Sequence, residues 1–243
     1  MRKLAVMLVA LLTFTESTAF GLTVFSTDFN AGAPAQFSGI TSTESVQGYA
    51  GLGTGTNVFG GNFLRNAALG NPASATVLTL TGLPLHSSID LNFLLAIIDS
   101  WDGSLGVAHP DILNIEVDDT LIFSKTFDIF DFHDQSYSPP PGVQLTWNTA
   151  RGFSGWNDAA YDMGLDPVFD GIPHTSSTLK IEWYASGGGW QGGDDESWAI
   201  DNVEVIVNPA ALIVPEPCTL LLLGTGLVGV FGMRRKGLAR TRG

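Results

Sequence analysis

Cysteine is nearly missing from this sequence: its 243 residues hold one, Cys218. No intramolecular disulfide can staple the fold, so stability has to come from packing, and a catalytic thiol upstream is excluded. Positive charge is almost as scarce. Of 11 Lys and Arg residues, only Arg65, Lys125, Arg151 and Lys180 lie between the two ends of the chain. Of 24 Asp and Glu residues, only Glu16 and Glu216 lie in those ends, so the middle carries a formal charge of −18. Such a balance repels nucleic acid and anionic lipid, and divalent cations ease it. Sustained helical periodicity is also nearly absent from the middle. The histidines His86, His109, His133 and His174 are widely spaced with no His-Glu-x-x-His pair, which leaves zinc hydrolysis without support. There is no Gly-x-Ser-x-Gly elbow, although a Ser-His-Asp triad need not be adjacent in sequence and stays open. Glu116 and Asp118 begin the Glu-x-Asp-x-x-Glu pattern of sandwich glycosidases, but Leu121 stands third and a turn explains the pair better. The expectation is a protein that is not an enzyme.

What is present begins with the ends. Arg2-Lys3, the apolar run Leu4–Phe14 and the small residues Ser17-Thr18-Ala19 form a signal peptide over 1–19, cut by signal peptidase during export. At the other end stand Val214-Pro215-Glu216-Pro217, the apolar run Cys218–Met233 and the basic cluster Arg234-Arg235-Lys236. The prolines fix φ and remove backbone donors, so a helix starts only after Pro217. A transmembrane helix over 218–233, at ~1.5 Å per residue, reaches roughly 24 Å against the roughly 30 Å of a hydrocarbon core, a minimal anchor. The basic cluster holds its end, with the tail 237–243, in the cytoplasm and leaves everything upstream outside.

This order of parts resembles the PEP-CTERM sorting signal of Gram-negative bacteria, with Pro215-Glu216-Pro217 as the motif. The resemblance spans 214–236. It implies that exosortase recognises the signal, removes the anchor from the inner membrane and passes the protein to the cell surface or the exopolysaccharide matrix of a biofilm. On that reading the chain is a substrate of the sorting machinery, with a structural or adhesive role.

Between the ends, 20–210 is long enough for one domain of about 190 residues with a substantial core. Turn residues recur between short alternating runs, the pattern of an all-β antiparallel jelly-roll sandwich. Thr76–Thr81 alternates, and Leu91–Ile98 is apolar almost throughout, as for a strand buried on both faces. Leu113, Ile115 and Val117 alternate with Asn114 and Glu116, and Asp118-Asp119 turns into Leu121–Phe123. Residues 131–176 read as long loops with one strand around Val143–Trp147. Thr178–Tyr184 alternates again. In Trp198–Val207 the apolar phase changes after Ile200, which requires a bulge near Asp201-Asn202.

Three groups of residues are candidates for binding. Asp28, on the presumed first strand, together with Asp99, Asp102, Asp111, Asp195, Glu196 and Asp201, offers carboxylates that a sandwich can gather from strand ends around Ca²⁺, a hard cation needing six to eight oxygens. No EF-hand loop is present. Trp147, Trp156 and Trp190 flank glycine-rich or acidic loops where a flat ring stacks on extracellular polysaccharide, the lectin-like alternative to a structural role. The segments Thr79–Pro84, Asp99–Gly103, Ile115–Asp119, Tyr161–Gly164 and Asp195–Val203 are similar to a module of bacterial exported proteins, and the last resembles the closing strand of MAM-type and reelin-type jelly rolls. That similarity implies a concanavalin-like sandwich, a fold that often holds structural calcium.

Overall fold

The structure, a computed structural model, describes residues 20–104, 110–131, 134–153 and 155–209. The expected signal peptide (1–19) and transmembrane helix (218–233), like the Pro-Glu-Pro motif and the basic cluster, lie outside the described residues. Among those described, no helix is long and apolar enough to cross a membrane.

The described residues form fifteen strands in chain order: β1 (Leu22–Thr27), β2 (Phe37–Gly39), β3 (Thr43–Ser45), β4 (Gly53–Thr54), β5 (Asn57–Val58), β6 (Asn62–Asn66), β7 (Thr76–Thr81) and β8 (Ser88–Asp99). Then come β9 (Ile112–Val117), β10 (Thr120–Thr126), β11 (Gln144–Thr149), β12 (Asp158–Asp162), β13 (Ile172–Pro173), β14 (Thr178–Ser186) and β15 (Glu196–Asn208). All pairings are antiparallel. One sheet runs β11-β12-β8-β15-β6-β3, with β1 added on β15 and β13 on β8; a second runs β10-β9-β14-β7-β2; β4 and β5 pair as a small two-stranded sheet. The fold is therefore an all-β sandwich of antiparallel sheets, the class expected for a jelly roll.

The alternating strands explain the inter-sheet core. Leu78 and Leu80, Leu113, Ile115 and Val117, and Leu179, Ile181 and Trp183 face Leu91, Phe93, Leu95 and Ile97 of the opposite sheet. Phe93 meets Trp183 edge to face at 6.0 Å across the gap. Full burial of such side chains contributes about 1.5–3 kcal/mol each, which is how a fold without disulfides is held. The continuous apolar run of β8 has its own cause. Its alternate residues Leu94, Ala96 and Ile98 fill a second cluster with Val46, Tyr49, Phe59, Phe63 and Phe153, so the segment around β3–β6 roofs the outer face of the sheet.

Two local expectations appear in the backbone. Asp118 and Asp119 both adopt positive φ, 47° and 63°, the two-residue turn that joins β9 to β10. The β15–β8 register shifts between Asp201 and Glu204, and Asn202 has φ 48°, so the bulge keeps Trp198, Ile200, Val203, Val205 and Val207 all in the core. The reading of 131–176 needs correction. It holds three strands, and β12 (Asp158–Asp162), unseen in the sequence, is buried at every position between β11 and β8. A strand buried on both faces need not alternate, and its two terminal aspartates disguised it.

Candidate metal centre

At one end of the sandwich three chain segments converge. β8 ends at Asp99, Asp111 stands immediately before β9, and Glu196 opens β15 directly opposite Asp99 in the ladder. Trp101 anchors the loop that follows β8. It is wholly buried, its indole N–H donates to Ser197 O at 2.9 Å, and its ring meets Phe127 and Trp190 edge-on. Ser100 ties the same loop to the start of β15, donating through its hydroxyl to Asp195 O and Oδ1 at 2.9 and 3.1 Å. Gly103 passes so close to the Asp134 carbonyl and the Asp128 carboxylate that a Cβ there would collide with both.

This scaffold sets Asp102, Asp111 and Glu196 so that one carboxylate oxygen from each lies within 4.8 Å of the other two. Asp111 Oδ2 accepts the Asp102 N–H at 2.8 Å, and Glu196 Oε2 accepts the Gln191 N–H at 2.7 Å. The remaining oxygens, Asp111 Oδ1 and Glu196 Oε1, are buried without a donor, as is Asp99 Oδ2 nearby. A buried carboxylate oxygen with no partner is costly, so a proton or a cation has to answer it. Burial, and then Asp111 and Asp195, push Glu196 up to about 8; burial, and then the charges of Asp102 and Asp195, push Asp111 up to about 6, although interaction with the Glu196 carboxyl lowers it. Asp99 is likewise raised to about 6, chiefly by burial. Asp102, exposed at the mouth, is raised by partial burial and by Asp128 and Asp195.

The donor set fits a hard divalent ion. Two ligands on opposite sides of Ca²⁺, each about 2.4 Å away, stand about 4.8 Å apart, so one ion can touch all three carboxylates. Asp102, Asp111 and Glu196 would hold it, and backbone carbonyls or water would complete its shell. Its charge would supply the compensation that these oxygens lack from the protein.

The seven acids named from the sequence thus fall into two groups. Asp99, Asp102, Asp111, Asp195 and Glu196 share this end. Asp201 lies five residues along β15, roughly 17 Å away at strand rise, and belongs elsewhere. There its oxygens accept the N–H groups of Asn202 and Gly60 at 2.7 and 3.2 Å, and burial followed by the charge of Asp28 raises it to about 7. Asp28 sits just past β1 rather than on it, and bonds to the Asn30 backbone and side chain hold its carboxyl low. Every oxygen in this second group has a donor. Two acids that the sequence did not single out support the first group: Asp128 accepts the N–H groups of Gly103, Phe130 and Asp131, and Asp158 accepts those of Asp99 and Arg151. Only their burial marks them, and burial is not written in the local sequence.

The tryptophans separate as well. Trp190 is 7% exposed, packed against Trp101 and bonded to Ala68 O, so its ring offers no open face. Trp147 is partly buried against the core with its N–H on Asp128 O at 2.7 Å. Trp156 is 48% exposed, beside an equally exposed Phe130 at 5.4 Å.

No curated protein matches this chain in sequence. Among solved structures, it is similar to the CBM22-1 xylan-binding domain of Paenibacillus barcinonensis Xyn10C at 12% identity, covering 80% of this chain and 99% of that one with a TM-score of 0.36. It is similar also to a family 35 carbohydrate binding module from an environmental isolate (18% identity, 74% and 94% covered, TM-score 0.31) and to the cleaved adhesin domain of Lys-gingipain (15%, 74% and 98%, TM-score 0.33). Scores this low carry no argument about function. The family model of the PEP-CTERM protein-sorting motif matches residues 214–236, the stretch from Val214 to Lys236. The chain therefore carries a PEP-CTERM protein-sorting motif at that position.

Proposed function

We propose that this chain is an exported protein of a Gram-negative surface or exopolysaccharide matrix, sorted by exosortase, whose sandwich is a non-catalytic structural or adhesive module. The sorting-motif match over 214–236 is the observation that carries the destination. On this reading 1–19 is removed by signal peptidase, 20–210 is the exported domain, 218–233 spans the inner membrane transiently, and 237–243 remains cytoplasmic until exosortase acts. The acid trio supports a structural role because its inward oxygens are buried and spaced for one ion rather than for a substrate. Calcium at Asp102, Asp111 and Glu196 then does the stapling for which a cysteine-free exported domain has no disulfide. Fractionation of cells with and without exosortase tests this. With the enzyme, mature protein in the envelope or matrix lacks its arginine-rich end; retention of that end, or a cytosolic location, contradicts the proposal.

A second reading, recognition of extracellular polysaccharide, is favoured by the exposed Trp156–Phe130 pair. Stacking on an aromatic ring suits the apolar face of a sugar. Trp156→Ala then abolishes saturable binding in a glycan screen while leaving the melting temperature within about 1–2 °C of wild type, as for a surface change. Absence of binding by the wild type ends this reading.

A further inference from the structure

Two buried imidazoles come together where three loops meet. His86 lies in the turn between β7 and β8, His174 between β13 and β14, and Asp118 in the turn between β9 and β10. Both imidazoles are buried. His86 Nε2 and His174 Nδ1 are 2.6 Å apart, with ring planes within 15° and centroids 4.9 Å apart. Contact that short between nearly coplanar rings is an edge-to-edge hydrogen bond, since face-to-face stacking at 2.6 Å would be a clash.

The outer nitrogens settle the protons. His86 Nδ1 faces Pro84 O at 2.6 Å, and His174 Nε2 faces Asp118 Oδ2 at 3.0 Å and Thr178 O at 3.1 Å. All three are acceptors, so both outer nitrogens carry hydrogen. The inner bond needs one proton between its two nitrogens. Two neutral rings would set lone pair against lone pair or leave an outer acceptor empty; two charged rings would set N–H against N–H. We infer that His86 and His174 share a single proton, together carry one positive charge, and form with Asp118 a clasp that joins the three loops.

Among the described residues, the charged groups facing the pair are Asp118 and those behind it. Asp118 Oδ1 accepts the Lys180 N–H at 2.9 Å, and the Lys180 ammonium turns away to Asp119 and Glu182. The clasp thus holds three protons on four ring nitrogens.

Nitrogen NMR of the histidine rings in the wild-type full chain tests this and depends on no variant folding. Three protonated nitrogens, with one proton coupled to both His86 Nε2 and His174 Nδ1, support the inference; two or four protonated nitrogens contradict it.

Discussion

Among the described residues, two places bring oxygens of three carboxylates within 4.8 Å of one another, and they meet the same electrostatic problem differently. At the β9–β14 face Glu116, Asp119 and Glu182 are at least partly open to solvent. Lys180 places its ammonium on Asp119 and Glu182, and the Tyr184 hydroxyl donates to Glu116 at 2.7 Å. Bonds to those two acids raise Lys180, so the charge is answered from within the chain. At the β8–β15 end Asp111 and Glu196 are buried, no lysine or arginine pairs with the Asp102–Asp111–Glu196 trio among the described residues, and oxygens are left without donors. Composition does not separate these sites; burial and the presence of one ammonium do. The exposed trio is a solvated surface network, and in the buried one a proton or a cation has to do what Lys180 does in the other.

The largest expected effect breaks that contrast from the ligand side. Calcium at about a hundred times its dissociation constant stabilises a folded state by about 2.7 kcal/mol, or roughly 5–11 °C in a domain of this size. Calorimetric melting with and without chelator checks it, with magnesium a poor substitute because it demands a tighter octahedral shell.

The next effect comes from charge. In chelator, the raised carboxyls of Glu196 and Asp111 mean that the folded state binds more protons than the unfolded chain, so stability is greatest near the unfolded carboxylate range around pH 4 and falls as pH rises through about 6 and then about 8. Glu196→Gln flattens the upper part of that fall, leaves the chelated protein at pH 8 more stable than wild type, and removes the calcium response. Urea unfolding across the pH range reads all three.

Gly103→Ala forces the loop off Asp134 and Asp128 and costs about 1–3 kcal/mol, the range for an overpacked site, while weakening calcium binding. The smallest effect belongs to the exposed trio. Lys180→Met lowers the melting temperature slightly at low salt, less than any change above, and high salt erases the difference. Calcium leaves this variant's exposed trio without a tight site, because no oxygen there is buried and orphaned.

How much of this was legible depended on whether a residue's neighbours along the chain also determine its environment. Thr76–Thr81 is the strand read from its alternation, and the phase change after Ile200 gave the bulge at Asp201-Asn202, since both follow from a period of two. β12 was hidden because burial on both faces erases alternation. Five of the seven acids named for calcium gather at one end because they flank neighbouring ends of β8, β9 and β15. Asp201 does not, since distance along β15 separates it from Glu196. Trp190 and Trp156 look alike in sequence, each beside glycine, yet one packs on Trp101 and the other stands in solvent. The proton shared by His86 and His174 was unreadable because the two residues are 88 positions apart and only the loops' meeting makes them a pair.

The central claim is that the buried trio is a calcium site, and isothermal titration of calcium into chelator-stripped full chain at neutral pH tests it most directly. The account predicts one strong site per chain, with protons released on binding and the site lost in Glu196→Gln. No binding heat in the wild type, or an undiminished strong site in Glu196→Gln, would contradict it.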